Sequence, residues 1–187
     1  DVVILTHANP DGDAVGSSMA WGSFLRSQGH RVTCIVPNKY PYFLDWMEGI
    51  HEVKVYKDAP DEVATIMEEA DVIYCLDFNQ IQRLEGLSEC IERNTHAKTV
   101  LIDHHLEPPH IFDVELSFPK CSSTSYLVYL LICELDGTDG ITKGMAENLY
   151  VGIMTDTGNF SFSNLTPGLF YCVAELLKKG IDIPYIN

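Results

Sequence analysis

The chain has 187 residues, 46% of them hydrophobic, which suits one α/β domain, or one domain with a piece of a second, and excludes a disordered segment. Its 12 basic residues stand against 27 acidic ones, a formal net charge of −15. Such a surface repels duplex DNA and anionic membranes, whereas a phosphate-bearing ligand is still admissible where bound cations supply positive charge locally.

The apolar run 2–6 (VVILT) reads as a buried strand that runs into a loop carrying Asn9, Pro10 and Gly12. A helix follows over 13–28, with Val15, Met19, Phe24 and Leu25 as its inner face and Gly29 as its stop. Residues 31–36 form a second strand. The aromatic stretch 40–50 (Tyr40, Tyr42, Phe43, Trp46) reads as a short helix or loop packed on the core, with base stacking as the alternative. Further on come a helix at 61–69, a strand at 72–76, a helix at 84–95 and a strand at 99–102. Beyond a proline-bearing loop (Pro108, Pro109, Pro119), three helices are predicted at about 122–135, 143–154 and 167–179. Strands alternating with helices imply an open parallel sheet with helices on both faces and right-handed connections.

No pair of the six cysteines makes a C-x-x-C motif, so a zinc knuckle or redox motif is unsupported. Most lie in apolar runs and read as core residues, which fits a cytoplasmic setting. No apolar run approaches a membrane span and no signal peptide is visible. The chain opens on a strand without a methionine, so residues are expected before Asp1 in the whole protein, and Gly180 to Asn187 read as the approach to a linker.

Open parallel sheets bind ligands at the carboxyl ends of their strands. Three strand ends here bear metal-ligand types: His7 to Asp13 after the first, Asp77 after the third, and Asp103-His104-His105 after the fourth. Asp156, beside Thr157 and Gly158, follows a helix and adds a carboxylate. Asp11 and Asp13 are two apart, so each can serve a different cation, with Asp77 between them. Two divalent ions sharing such a set activate water for in-line displacement at phosphorus. Mixed imidazole and carboxylate donors favour Mn²⁺, with Fe²⁺, Co²⁺ or Zn²⁺ as alternatives, over Mg²⁺. Each residue alone has a plainer reading: Asp11-Gly12 a turn, Asp13 a helix N-cap, Asp77 a strand-end cap, the histidine pair a solvated loop. The metal reading rests on their falling together.

These residues resemble a known family. His7-x-x-Pro10-Asp11-Gly12-Asp13-Ala14-x-Gly16 is similar to the first motif of the DHH phosphoesterases, Asp77 to the second, Asp103-His104-His105 to the signature that names the family, and Asp156-Thr157-Gly158 to the fourth. The resemblance implies a Rossmann-like catalytic domain over 1–187, with His7 and Asp11 on one metal, Asp13, His104 and Asp156 on the other, and Asp77 bridging. It also implies that His105 contacts phosphate or protonates the leaving group, while Asp103 orients a histidine ligand through its ring N–H. Asp156 to Phe160, followed by Asn164-Leu165-Thr166-Pro167, resembles the NrnA-like branch, which acts on short oligoribonucleotides and 3′-phosphoadenosine 5′-phosphate. The helix opening Ser122-Ser123-Thr124 resembles it too, either meeting a phosphate or simply capping the helix. Arg83 is expected to face substrate or to form a surface ion pair.

The family's second domain, DHHA1, is expected after residue 187. The expected partners are short single-stranded RNA or a small phosphorylated nucleotide, neither duplex DNA nor a membrane, and a homodimer stays open. The competing readings are an exopolyphosphatase or inorganic pyrophosphatase, a cyclic dinucleotide phosphodiesterase, and a non-catalytic nucleotide-binding domain.

Overall fold

The computed structural model describes residues 1–162 and 164–187. Six strands, β1 (Val2–Leu5), β2 (Val32–Val36), β3 (Lys54–Val55), β4 (Val72–Leu76), β5 (Lys98–Asp103) and β6 (Val114–Ser117), form one sheet in the order β3-β2-β1-β4-β5-β6. Every pairing in it is parallel. The helices are α1 (Gly12–Ser27), α2 (Pro60–Glu69), α3 (Leu87–Arg93), α4 (Thr124–Asp136), α5 (Lys143–Asp156), α6 (Pro167–Lys178) and the short α7 (Ile183–Ile186).

Side chains alternate across a strand, and the two faces of the sheet therefore carry two cores. Val2 and Ile4 of β1 join Leu76 and Ile102 in a core covered by α1, α4, α5 and α6. Val3 and Leu5 join Ile73, Cys75 and Leu101 in a core covered by α2 and α3. Phe78 is fully buried in the second core, directly after Asp77. Replacing it by alanine should cost about 3–5 kcal/mol, the usual penalty for an emptied aromatic site, read as a fall in the urea midpoint at unchanged slope.

The predicted parallel α/β architecture is the observed one. Two strands escaped the sequence reading. β3 has only two residues, and β6 is an edge strand with an exposed first residue, so neither shows a usable apolar period. The helix expected at 84–95 is divided: a 3-10 turn (Ile81–Leu84) ends at Glu85, whose φ of 51° is left-handed, and α3 restarts at Leu87. α1 is buried nearly all round rather than on one face, because small residues (Ala14, Gly16, Ser17, Ser18, Ala20, Gly22) let neighbours close on every side. In the aromatic stretch Tyr40 is buried and Trp46 packs against the first core, but Tyr42 is exposed and outside that core. Four cysteines are buried, while Cys121 and Cys133 are half-buried.

Candidate metal centre

In the order β3-β2-β1-β4-β5-β6 the chain leaves the sheet in opposite directions after β1 and β4, which is where such sheets open a ligand crevice. The loop after β1 carries His7 and Asp11, and α1 begins with Asp13 one residue inside. Asp11 caps α1, accepting from the N–H groups of Asp13 and Ala14 at 3.0 Å each. The cap weighed for Asp13 in the sequence thus belongs to Asp11, and Asp13 is turned inward. Asp77 follows β4 with φ 65°, a left-handed conformation that costs on the order of 1 kcal/mol and that aspartate tolerates better than most residues. Asp103 ends β5 and His104 follows it. Asp156 is the last residue of α5, not a residue beyond the helix as expected.

These six side chains converge. The ligand atoms of His7, Asp11 and Asp77 lie within 4.8 Å of one another, and so do those of Asp13, His104 and Asp156. Asp77 faces both groups: its Oδ2 is 3.6 Å from His7 Nε2 and its Oδ1 is 3.5 Å from His104 Nε2. His104 Nε2 also lies 2.9 Å from Asp156 Oδ2 and 3.8 Å from Asp13 Oδ2. Both histidines are aimed by their other ring nitrogen. His7 Nδ1 donates to the Ala8 carbonyl at 2.8 Å and His104 Nδ1 to the Cys121 carbonyl at 3.3 Å, so each presents Nε2 to the carboxylates.

Asp13 is completely buried and receives the Thr124 and Ser125 N–H groups at 2.6 and 2.8 Å. The N-terminus of α4 is therefore closed by this carboxylate, where a substrate phosphate was one expectation for Ser123 and Thr124. Both residues are buried. Ser123 caps α4 by accepting from Tyr126 N–H at 3.0 Å, and Thr124 donates its hydroxyl to Asp77 Oδ1 at 2.9 Å. Their visible task is to hold the two central carboxylates.

Burial and the charges of Asp77 and Asp156 raise Asp13 well above the usual carboxylate range, against the Ser125 side chain and His104. Burial also acts against ionised Asp77, but its hydrogen bonds with His104 and His7 prevail and lower its pKa. Burial opposes a charged His104 as well, yet Asp156, Asp77 and Asp13 together push it up to about 11. His7 is raised too, with burial outweighed by Asp77 and the Ala8 carbonyl. Without a cation, then, protons on histidine offset a buried cluster of carboxylates. Neutral imidazole Nε2 atoms aimed at carboxylate oxygens are a donor set that fits divalent metals.

Asp103 is buried, and its two oxygens accept from His105, Oδ1 from Nδ1 at 2.7 Å and Oδ2 from the backbone N–H at 3.1 Å. The histidine it orients is thus His105, not the expected ligand His104. His105 is 41% exposed and lines a recess of about 480 Å³ with His104, Asn79, Gln80, Arg83 and Leu106. Arg83 is exposed there, and its carbonyl accepts from Ala8 N–H at 2.8 Å, tying this turn to the His7 loop. The sequence reading passed over Asn79, which is buried and donates to the Leu106 carbonyl at 2.9 Å, fixing the loop after the two histidines. Its only signal was its place two residues after Asp77.

Fold and site together define an α/β domain with a histidine–carboxylate centre at the switch point of a parallel sheet. Residues 1–153 match the DHH family, N-terminal domain, and the chain belongs to that family. It is 30% identical over 182 residues to the bifunctional oligoribonuclease and PAP phosphatase NrnA of Thermus thermophilus, an alignment covering 97% of this chain and 51% of that protein. The crystal structure of an exopolyphosphatase-related protein from Bacteroides fragilis superposes with a TM-score of 0.96 at 41% identity, over 100% of this chain and 54% of that one. A putative family II inorganic pyrophosphatase of Methanococcus jannaschii shares the fold, with a TM-score of 0.70 at 17% identity, over 100% of this chain and 59% of that one. The chain spans about half the length of the relatives it matches. Among the described residues no helix is long and apolar enough to cross a membrane.

Proposed function

We infer that this chain is the catalytic half of a cytoplasmic phosphoesterase that hydrolyses short oligoribonucleotides and 3′-phosphoadenosine 5′-phosphate. The observation that carries the reading is the convergence of His7, Asp11, Asp13, Asp77, His104 and Asp156 into two ligand groups with Asp77 facing both. The oligoribonuclease and phosphatase named among the relatives supports the substrate class. In the whole protein a DHHA1-type domain after residue 187 would close over the site, and a homodimer is compatible with the reading. The net charge of −15 argues against duplex DNA or a membrane as partner.

His7 and Asp11 would hold one divalent cation, Asp13, His104 and Asp156 the other, and Asp77 both. Bound there, two such ions, Mn²⁺ by the donor chemistry, would polarise a phosphoryl oxygen and lower the pKa of an attacking water. The chain's own residues do the rest. Asp103 keeps the Nδ1–H of His105 engaged, so His105 Nε2 is free at the recess to contact phosphate or to protonate the departing oxygen. Arg83, at the same recess, offers a guanidinium to the phosphate. Asp103→Asn should lower kcat by about 10- to 100-fold with Mn²⁺ stoichiometry unchanged, because the Asp103 side chain hydrogen-bonds His105 and, among the described residues, no side chain of the six ligands.

Metal uptake should be proton-coupled. The metal-free pKa of His104, about 11, means that the ring carries a proton at neutral pH, and a cation needs it neutral. The sign follows: uptake releases protons, and apparent affinity rises from pH 6 to pH 8. The contribution of charged His104 to the stability of the metal-free fold is full below about pH 6.5 and is lost as pH rises through the folded pKa. Calorimetric titration with Mn²⁺ in buffers of different ionisation enthalpy measures the proton count.

The deciding experiment uses the full-length protein with Mn²⁺ and a labelled dinucleotide, 3′-phosphoadenosine 5′-phosphate and pyrophosphate in parallel. Turnover of the first two supports the reading. Turnover of pyrophosphate or polyphosphate alone keeps the site and replaces the substrate, an outcome that the likeness to the exopolyphosphatase-related protein of Bacteroides fragilis makes the second reading.

A further inference from the structure

α5 ends on Asp156, and the chain then reverses through Thr157, Gly158, Asn159 and Phe160. The last three have φ values of 55°, 53° and 62°, so two non-glycine residues are held left-handed in succession. Thr157 stabilises the reversal. Its hydroxyl donates to the Ile153 carbonyl at 2.7 Å and accepts from Phe160 N–H at 3.1 Å, while its carbonyl accepts from Phe162 N–H at 3.0 Å.

The turn sends its two aromatic rings to different environments. Phe160 is half-buried, 6.2 Å from the Tyr150 ring and 5.8 Å from that of Phe170. Phe162 lies over Gly158 instead: a Cβ at residue 158 would sit 2.6 Å from the ring's Cε1 and Cζ. The ring thus rests on bare backbone two residues past a ligand carboxylate, and it is 59% exposed. Tyr42 and Phe43 are exposed as well, but among the described residues no hydrogen bond or ring contact joins them to the centre.

We propose that Phe162 is the platform on which a base of the substrate stacks, so that the site selects base-carrying phosphoesters over base-free ones. The proposal rests on the phosphoesterase reading above and deepens it. Every nucleobase has a π-face, so one exposed ring serves substrates of different sequence without hydrogen-bond readout. A side chain at 158 would displace the ring, so the glycine beneath is what lets it lie on the turn that follows Asp156.

The test compares full-length wild type with Phe162→Ala and Phe162→Tyr. One readout is the ratio of kcat/KM for 3′-phosphoadenosine 5′-phosphate to that for ribose 3,5-bisphosphate, which lacks the base. The other is quenching of 2-aminopurine in a phosphorothioate dinucleotide that resists hydrolysis. Phe162→Ala should lower the ratio on the order of tenfold, mainly through KM, and remove the quenching, and Phe162→Tyr should keep both. An unchanged ratio with quenching kept overturns the proposal, and so does an equal fall for both substrates, which would make the ring a prop for the Asp156 turn. Wild type inactive on both substrates would instead overturn the phosphoesterase reading, with the quenching still deciding whether Phe162 stacks.

Discussion

Asp77→Asn should lower divalent-dependent hydrolysis by roughly 10³-fold or more, a loss of about 4 kcal/mol in transition-state stabilisation, while the metal-free protein keeps its fold. The two oxygens of Asp77 face both ligand groups, one 3.6 Å from His7 Nε2 and the other 3.5 Å from His104 Nε2. Asparagine is the discriminating replacement. It tolerates the left-handed conformation at 77, and its carbonyl can still accept the Thr124 hydroxyl that now bonds Oδ1. Its amide can donate to His7 Nε2, a free acceptor once Nδ1 donates to the Ala8 carbonyl. Asp77→Ala would also remove activity, but it would leave the buried Thr124 hydroxyl without its partner at a cost of about 1–3 kcal/mol, mixing loss of function with loss of stability. Steady-state hydrolysis beside a thermal melt of metal-free protein separates the two. More than a tenth of wild-type activity in Asp77→Asn would refute a bridging role.

What the sequence made legible follows from where the information lies. The ligand types sit at strand ends, and a parallel sheet brings strand ends together whatever the loops do. His7, Asp13, Asp77 and His104 could therefore be grouped before any coordinates, and the structure does group them. Partners across long separations were not legible. Asp13 takes its two N–H donors from residues 111 and 112 positions away, and nothing near Ser123 or Thr124 announces that the helix they open points at a carboxylate. The same limit applies to Asp103: its type and position suggested that it orients a histidine, but only the backbone path after β5 shows that the histidine is His105. Composition misled at Tyr42, whose aromatic neighbours suggested a core segment although the ring is exposed. Phe162 had no signal in the sequence, because its exposure depends on the reversal at Gly158.

Gly152→Ala should break one ligand group and spare the other. Gly152 lies one turn before Asp156 on α5, so the two share a helix face. A Cβ at 152 would meet Ser125 Oγ at 1.9 Å and Asp13 Oδ1 at 2.6 Å. Neither can yield freely. Asp13 is held by the Thr124 and Ser125 N–H groups, and Ser125 lies in the first turn of α4, between α1 and α5. α5 must therefore move away, carrying Asp156 with it and drawing the Asp13, His104 and Asp156 group apart. The overpacking should cost about 1–3 kcal/mol, and one of two Mn²⁺ equivalents should bind at least about tenfold more weakly, a change of about 1.4 kcal/mol. The three atoms nearest a Cβ at 152 belong to Ser125 and Asp13 and not to the His7, Asp11 and Asp77 group, so the remaining equivalent should stay within about threefold of wild type, a shift under about 1 kcal/mol. Ser125→Gly removes the nearest obstacle, so the double variant should recover part of both losses, with a coupling energy of roughly 1–3 kcal/mol in the mutant cycle. Calorimetric titration of Mn²⁺ into the four proteins reads the two sites separately. Equal weakening of both equivalents would mean that the glycine supports the domain as a whole, and no weakening would mean that α5 can shift without its carboxylate.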